Sequence, residues 1–542
     1  MGDGGANHGW EWEAEVGGNA LDGGPGSADP KDAMRAIAAS SGGGIYMGAG
    51  LAGPAWAPPR TSLLVLGPTG TGKTSCIVVP AICAAQGPVV STSTKTDVLE
   101  VTAALRRRLG PCFVYDPSGT VRLPRGVEML RWSPLAACRD WTGAQLAASN
   151  LSKAARLVAT SPSATSRSAD THWDERAASL LAALMHAAAL GDLDMAKVIS
   201  WVDRHQGGPA SGILEEAGAD ELACDLLQGL LSTDSRELSG IWSTASGMLG
   251  AYRTRPALET ALDASFDPAA FAAEKGTIYV CATGRHQALA APLIVELLNE
   301  LKEATYSRYA TAGPDLRARM TSEPMLFALD EVANIAPLPD LPAIVSEGGG
   351  QGLVALACLQ DLSQASARWG VDTTGMLTQF TTTVMLPGIT HVPTLQAFSA
   401  LAGDVELPTV TISTPAQDGP PPGGWRRAPW SQVAGLLTGG RPAGSVTTST
   451  TFRPRLGVED LSKGARGTAL VLGGGAHLST IGLTPWFSTE PWSSHLRAAR
   501  ALDAAEARTR ALHTKEAGAR ESRSGHGQHL GTGQAPDQER LR

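Results

Sequence analysis

The run Gly67-Pro68-Thr69-Gly70-Thr71-Gly72-Lys73-Thr74 meets every fixed position of the pattern G-x-x-x-x-G-K-[ST]. Nothing else constrains the fold as tightly, because such a loop works only where a buried strand ends and a helix begins. Both flanks are present. Ser62 to Leu66 is an apolar run suited to a buried strand, and Ser75 to Ala85 reads as a helix. The glycines Gly67, Gly70 and Gly72 let the backbone wrap closely, so that amide N–H groups from Thr69 to Ser75 can point at phosphate oxygens. The helix N-terminus adds partial positive charge at the same place. Lys73 would reach the β- and γ-phosphates of a nucleotide such as ATP, and the Thr74 hydroxyl would ligate Mg²⁺.

Hydrolysis needs, in addition, an acid to hold the metal and a group to activate water. Met325-Leu326-Phe327-Ala328-Leu329 is a short apolar run that ends in Asp330-Glu331. A strand buried on both faces would deliver these acids to its C-terminal edge, where open α/β sheets bind ligands. Asp330 would hold hydrated Mg²⁺, and Glu331 would polarise the attacking water. Leu353 to Leu359 reads as another buried strand, followed by Gln360. That glutamine either senses the γ-phosphate and orients water or caps the next helix. Further strands are expected at Val89–Ser93, Cys112–Asp116, Thr277–Cys281, Thr382–Leu386 and Ala469–Leu472. Their alternation with helical stretches predicts an α/β fold with a mainly parallel sheet covered on both faces.

The chain has 542 residues, too many for one ordinary core. From about Trp141 to Leu262 helical periodicity dominates, as in Trp173–Leu190, Glu221–Leu231 and Arg236–Tyr252, and predicts an all-helical insertion between the third strand and Thr277. The expected organisation is therefore a disordered N-terminal tail over 1–43, a first motor part over 44–138 and a helical insertion over 139–275. A second motor part follows over 276–495, then a helical and disordered tail over 496–542. Pro415–Gly424 and Gly435–Thr451 read as loops, and Trp10 and Trp12 stand as apolar residues in the N-terminal tail.

The formal net charge of −8 argues against a wholly basic nucleic-acid coat but leaves room for DNA in a channel, where the local field matters more than the sum. Arg106-Arg107-Arg108, the densest basic cluster, reads as a solvated helix face. The seven cysteines form no CxxC pair and suit reduced, buried thiols. Histidines do not cluster at metal-ligand spacing, and no G-x-S-x-G elbow is present. The longest apolar candidate, Leu180–Leu190, contains His186 and is too short for a membrane span; with no basic-then-apolar leader, a cytoplasmic chain is expected.

The ordered set of stations resembles the coupling-protein ATPases of type IV secretion systems, the conjugative DNA-transfer family of the TraG/TraD kind. The stations are Val65 to Thr74 with Val78-Val79-Pro80, Val89 to Leu99 with Lys95 and Asp97, Phe113 to Pro117, Trp132-Ser133-Pro134-Leu135, His172-Trp173 with Ala177 to Leu181, Leu329-Asp330-Glu331, and Gln360 to Gln364. Together they span roughly residues 44 to 490. The resemblance implies a RecA-like motor with an all-helical domain, a homo-hexameric ring, and ATP-driven transfer of a relaxase-bound single strand of DNA to a secretion channel. The stretch Asp330 to Gln364 is similar to one tied, in relatives, to recognition of the DNA-processing complex. Two rival readings are a nucleotide-gated docking protein that does not pump and another ring-shaped DNA translocase. Three features depart from the family pattern. Ser93-Thr94 stands where relatives often carry an aspartate before the lysine, and Gly348-Gly349-Gly350 has no basic residue. The N-terminal membrane helices are missing, so a partner that supplies the membrane anchor is expected, with the chain peripheral at the inner face of the membrane.

Overall fold

In a computed structural model the described residues are 30–526, apart from 40, 52, 159–166, 283, 285–286, 371–372, 414–444 and 474–476. Pro415–Gly424, Trp10 and Trp12 lie outside them.

The framework is a 12-stranded sheet. In chain order its strands are β1 (Tyr46–Gly50), β2 (Gly53–Trp56), β3 (Leu63–Leu66), β4 (Val89–Ser93), β5 (Cys112–Tyr115), β6 (Glu128–Met129), β7 (Thr277–Cys281), β8 (Met325–Leu329), β9 (Leu353–Leu359) and β10 (Thr382–Met385). A separate antiparallel ribbon pairs β11 (Asp404–Ser413) with β12 (Ser445–Pro454), and β13 (Thr468–Gly473) and β14 (His477–Gly482) return to the main sheet. The spatial order is β2-β1-β14-β13-β10-β3-β9-β8-β4-β7-β5-β6. From β10 to β6 every neighbouring pair is parallel, whereas β13, β14, β1 and β2 close one side antiparallel.

The period-2 alternation of the parallel strands builds two cores. Leu64, Leu66, Val90, Phe327, Leu329, Ala355 and Ala357 face the helix Gln287–Thr311 and the helical insertion. Leu63, Val65, Val89, Leu326, Ala328, Leu356 and Cys358 face the opposite way, toward the helices after β3 and β4. Burial on both faces explains why these strands read as unbroken apolar runs rather than as alternating ones.

The stretch between β6 and β7 is helical among the described residues: Trp141–Val158, Arg167–Leu190, Met195–Asp203, Gly208–Glu216, Glu221–Leu231 and Ser235–Met248, then short turns of helix to Ala273. Asp194, Asp220, Asp234 and Asp267 each accept a hydrogen bond from a backbone N–H in the first turn of the helix they precede. Arg167–Leu190 is the axis of this bundle and packs against five of the other helices, which is why Leu180–Ala189 is apolar on nearly every side.

Four sequence expectations need correction. Arg106 is not on a solvated face. It is fully buried, donates from Nε to Thr277 Oγ1 at 2.7 Å and from Nη2 to the Gly87 carbonyl at 2.9 Å, and Nη1 bonds the Ala85 carbonyl. The chain turns at 85–87 and 275–276 leave carbonyls that no ladder satisfies, and the guanidinium collects them. Each stranded carbonyl costs about 1–3 kcal/mol, so Arg106→Ala is expected to lower the unfolding free energy by about 3 kcal/mol or more, read by denaturant unfolding.

The second correction concerns the tail. Arg107 pairs with Asp503 and Arg108 with Glu506, both on a helix that starts at Trp492 and runs to His526. Trp492, Leu496 and Ala499 are buried in the second core, so the start of that helix belongs to the sheet domain. Third, Pro30–Ala39, inside the stretch expected to be disordered, forms a helix whose Ile37 packs on the same core. Last, residues 445–451, taken for loop on their Gly, Ser and Thr content, belong to β12; the β-branched run Val446-Thr447-Thr448 and Thr450-Thr451 favours strand.

Candidate nucleotide site

Parallel strands end on one edge, and that edge gathers the chemistry. β3 delivers the glycine-rich loop, β9 ends before Gln360, β8 ends before Asp330, and β4 ends at Ser93. β9 lies between β3 and β8, with Leu66 opposite Leu359 and Leu329 opposite Ala357. The Gly67 N–H donates to the Leu359 carbonyl at 3.1 Å, which ties the root of the loop to the end of β9. Gly70 and Gly72 adopt φ of +82° and +97°, the left-handed region that other residues avoid. The chain then enters a wide helical turn, Lys73–Val78, before the α-helix Val79–Ala84. Pro80 stands where the wide turn passes into that α-helix, the two running on without a break.

Within this cradle Thr74 Oγ1 donates to Asp330 Oδ2 at 2.7 Å, across 256 positions of sequence. Asp330 is 7% exposed. Burial raises its pKa, and the Thr74 hydroxyl and the Lys73 ammonium oppose that rise. Lys73 is 8% exposed, and its Nζ donates to the carbonyl oxygens of Gly67 and, at 3.0 Å, Pro68. The donor set fits a metal-bound triphosphate. A buried ammonium whose hydrogen bonds go only to neutral carbonyls can exchange them for an anion, and a buried carboxylate beside a hydroxyl is a hard-oxygen pair of the kind Mg²⁺ takes.

The other expected residues are placed as follows. Thr71 Oγ1 donates to the Pro68 carbonyl at 2.7 Å and braces the loop, while Thr69 is exposed at its tip. Ser75 Oγ lies 3.5 Å from the Gly72 carbonyl, turned back on its own loop. Glu331 follows Asp330 directly, half-buried, at φ +57°, and heads the short helix Val332–Ile335. Gln360 sits between the two halves of the site, its backbone N–H held by Gln364 Oε1 at 2.8 Å. Capping of the next helix falls instead to Asp361, which accepts from Ser363 N–H.

Three neighbours were not singled out as part of this site. Thr92 Oγ1 lies 3.4 Å from the Asp330 carbonyl, Asp97 is close enough to push Asp330 further up, and Cys358 is buried beneath, its thiol held well above the usual range by burial first and by Asp330 second. Only the sheet order, which puts β4 beside β8, could have found Thr92.

Residues 324–433 match the family model described as the TraM recognition site of TraD and TraG. The structure is similar to that of the bacterial conjugative coupling protein TrwBdeltaN70 in its unbound monoclinic form, with a TM-score of 0.58 and 16% identity over 84% of this chain and 92% of that one. It is similar also to the plasmid coupling protein TrwB in complex with the GTP analogue GDPNP (TM-score 0.56, 17% identity, 81% of this chain and 89% of that one). The complex of TrwB with ADP and Mg²⁺ gives a TM-score of 0.55 at 17% identity, over 79% of this chain and 85% of that one. The chain resembles the type IV coupling proteins in fold and in this recognition segment. No curated protein matches it by sequence. Among the described residues no helix is long and apolar enough to cross a membrane, and no group of His, Cys, Asp and Glu forms a further metal cluster.

Proposed function

We propose that this chain is a coupling-protein ATPase that binds ATP with Mg²⁺ at the C-terminal edge of its sheet and uses hydrolysis to recruit and move DNA toward a conjugative channel. The observation that carries this reading is the contact of Thr74 with Asp330 at 2.7 Å, which joins the two halves of the motif across the fold. Thr74 and Asp330 would hold the ion, Asp330 through water. Bound Mg²⁺ would supply charge neutralisation at the phosphates. Lys73 and the amides from Thr69 to Ser75 would hold the phosphate oxygens, Glu331 would orient the attacking water and take its proton, and Gln360 would help to position it.

The recognition segment supports coupling between nucleotide and partner. Asp330, Glu331 and Gln360 all fall within residues 324–433, so β8 and β9 carry the site on their ends and belong to the matched segment. A bound nucleotide that shifts those ends would alter the docking surface for a relaxase or DNA-processing complex. Grip on the DNA would come from phosphate contacts, largely without reading sequence, in a ring of copies of this chain.

The test is ATP turnover by the assembled protein with and without single-stranded DNA. Turnover stimulated severalfold by DNA is the expected result. Absence of turnover in both, with the ring intact, removes the motor. ATP-dependent relaxase capture that survives Glu331→Gln would then leave the docking role alone.

A further inference from the structure

The helical insertion leaves the motor through the turn Pro134–Arg139 and rejoins it through the turn Leu249–Arg253. Both turns pack against one motor helix, Gln287–Thr311. At the crossing that helix carries two acids one turn apart, Glu296 and Glu300. Glu296 is 2% exposed, and neither of its carboxylate oxygens finds a hydrogen-bond partner. Tyr252, from the second turn, turns its hydroxyl toward Glu296, near enough to oppose the upward push on that acid but short of a well-formed hydrogen bond. Asn299, on the same helix, is buried with both amide atoms unpaired, and His186 bonds the Cys138 carbonyl through Nδ1 at 2.7 Å but leaves Nε2 bare. Glu300 has one firm partner, the Trp132 indole N–H at 2.7 Å. A junction with so many buried orphans sits uneasily in an apolar core.

The charges around the pair do nothing to settle it. Tyr115 on β5, with Cys138 and Tyr252 on the two turns, offers no cation. Asp267, at the head of Pro268–Ala273, adds a third acid near Glu300. The arginines of the turns point away, Arg139 to Asp192 and Arg253 to Asp203. Lys153 and Arg156 of the packed helix Trp141–Val158 are exposed, and Arg156 pairs with Asp174. On the motor helix itself Lys302 is engaged by Glu303 and Asp340, and Arg308 by the Ala272 carbonyl.

We propose that Glu296 and Glu300 form a protonation-governed joint that seats the helical insertion on the motor when both are neutral and loosens it when they ionise. The burial of Glu296 among uncharged groups favours its neutral form, and its ionisation demands water that only a displaced insertion admits; Glu300, half-buried one turn away, adds a second negative charge to that cost when it ionises. Burial, and then the mutual repulsion of the two acids, holds Glu296 well above the usual carboxylate range; burial moves Glu300 to about 7. The folded chain thus keeps protons that the unfolded chain releases at an ordinary carboxyl value. The seating is firmest in mild acid and is lost as pH rises toward and past neutrality.

The test uses the full chain without nucleotide, so its failure is distinct from failure of the ATPase reading. Thermal unfolding is followed between about pH 5.5 and 8.5, with hydrogen exchange of the peptides covering 134–139 and 249–253. Corrected for intrinsic rates, protection of these two turns is expected to fall on the order of tenfold across that range, together with the midpoint of unfolding. Glu300→Gln, which fixes the neutral shape, should flatten both profiles. Glu296→Gln should do the same at the upper end; if that variant does not fold, the Glu300→Gln profile decides alone. Wild-type protection of the two turns that is level in pH, or a Glu300→Gln profile as steep as wild type, overturns the joint.

Discussion

Lys73→Ala is expected to abolish measurable nucleotide binding while leaving the fold intact. Nothing else described in the loop brings a formal positive charge into the cradle, and Lys73 is almost wholly buried. Its ammonium now rests on the carbonyls of Gly67 and Pro68. Those bonds are the ones it would exchange for phosphate oxygens. A hydrogen bond to a charged group is worth about 1.5–3 kcal/mol, and two lost together correspond to a fall in affinity on the order of 10²–10⁴-fold. Titration with a fluorescent ATP analogue reads this directly. The thermal midpoint supplies the control, because removing a buried ammonium whose hydrogen-bond acceptors are neutral carbonyls relieves desolvation as well as losing hydrogen bonds. A folded variant that binds the analogue as wild type does would end the assignment of this loop as the phosphate cradle.

Glu331→Gln should give the opposite split, with binding kept and turnover lost. The substitution keeps size and shape, removes the basic oxygen, and leaves Thr74 and Asp330 untouched. Loss of a positioned general base slows turnover by about 10²–10⁴-fold, so the expected variant traps ATP. Single-turnover measurement separates chemistry from product release. The backbone offers a second readout. Glu331 holds φ of +57°, a conformation that costs a side-chain-bearing residue about 1–2 kcal/mol and that glycine adopts freely. Glu331→Gly is therefore expected to be at least as stable as wild type and equally inactive. Strain retained at the one position where an acid is wanted is what a functional constraint would leave. A Glu331→Gln protein that turns over ATP at the wild-type rate would move the base elsewhere on this edge.

Much of the sheet domain was legible in the chain. Residues that end strands gave themselves away because parallel strands are buried on both faces: Leu63–Leu66, Met325–Leu329 and Leu353–Leu359 are unbroken apolar runs, and the polar residues after them fall on one edge. Of the antiparallel closing strands, β13 showed as the apolar run Ala469–Leu472, but β1 and β2 did not show. Tyr46–Gly50 contains two glycines and Gly53–Trp56 contains glycine and proline, so neither carries β propensity. They are strands because Tyr46 packs edge-on to Trp56 and Trp492, with ring centroids 5.5 and 5.1 Å away, and because β14 lies beside them to pair. Arg106 deceived for a related reason. A run of three arginines is ambiguous until the turns whose carbonyls it collects, from Ile82 to Gly87 and at Lys275, are brought beside it.

By itself the sequence determined the loop, the acids and the alternation of strand and helix, since each is local: a glycine spacing, an apolar run, a helical period. Tertiary structure alone decided which strands lie side by side, that Thr74 meets Asp330 with β9 between their strands, that Arg107 and Arg108 clasp the C-terminal helix, and that a buried and a half-buried acid meet where the helical insertion joins the sheet domain. Those facts depend on long-range pairing and on the removal of water. Local propensity encodes neither, because the partners are hundreds of residues apart and the cost of burying a charge is set by what surrounds it once the chain has closed.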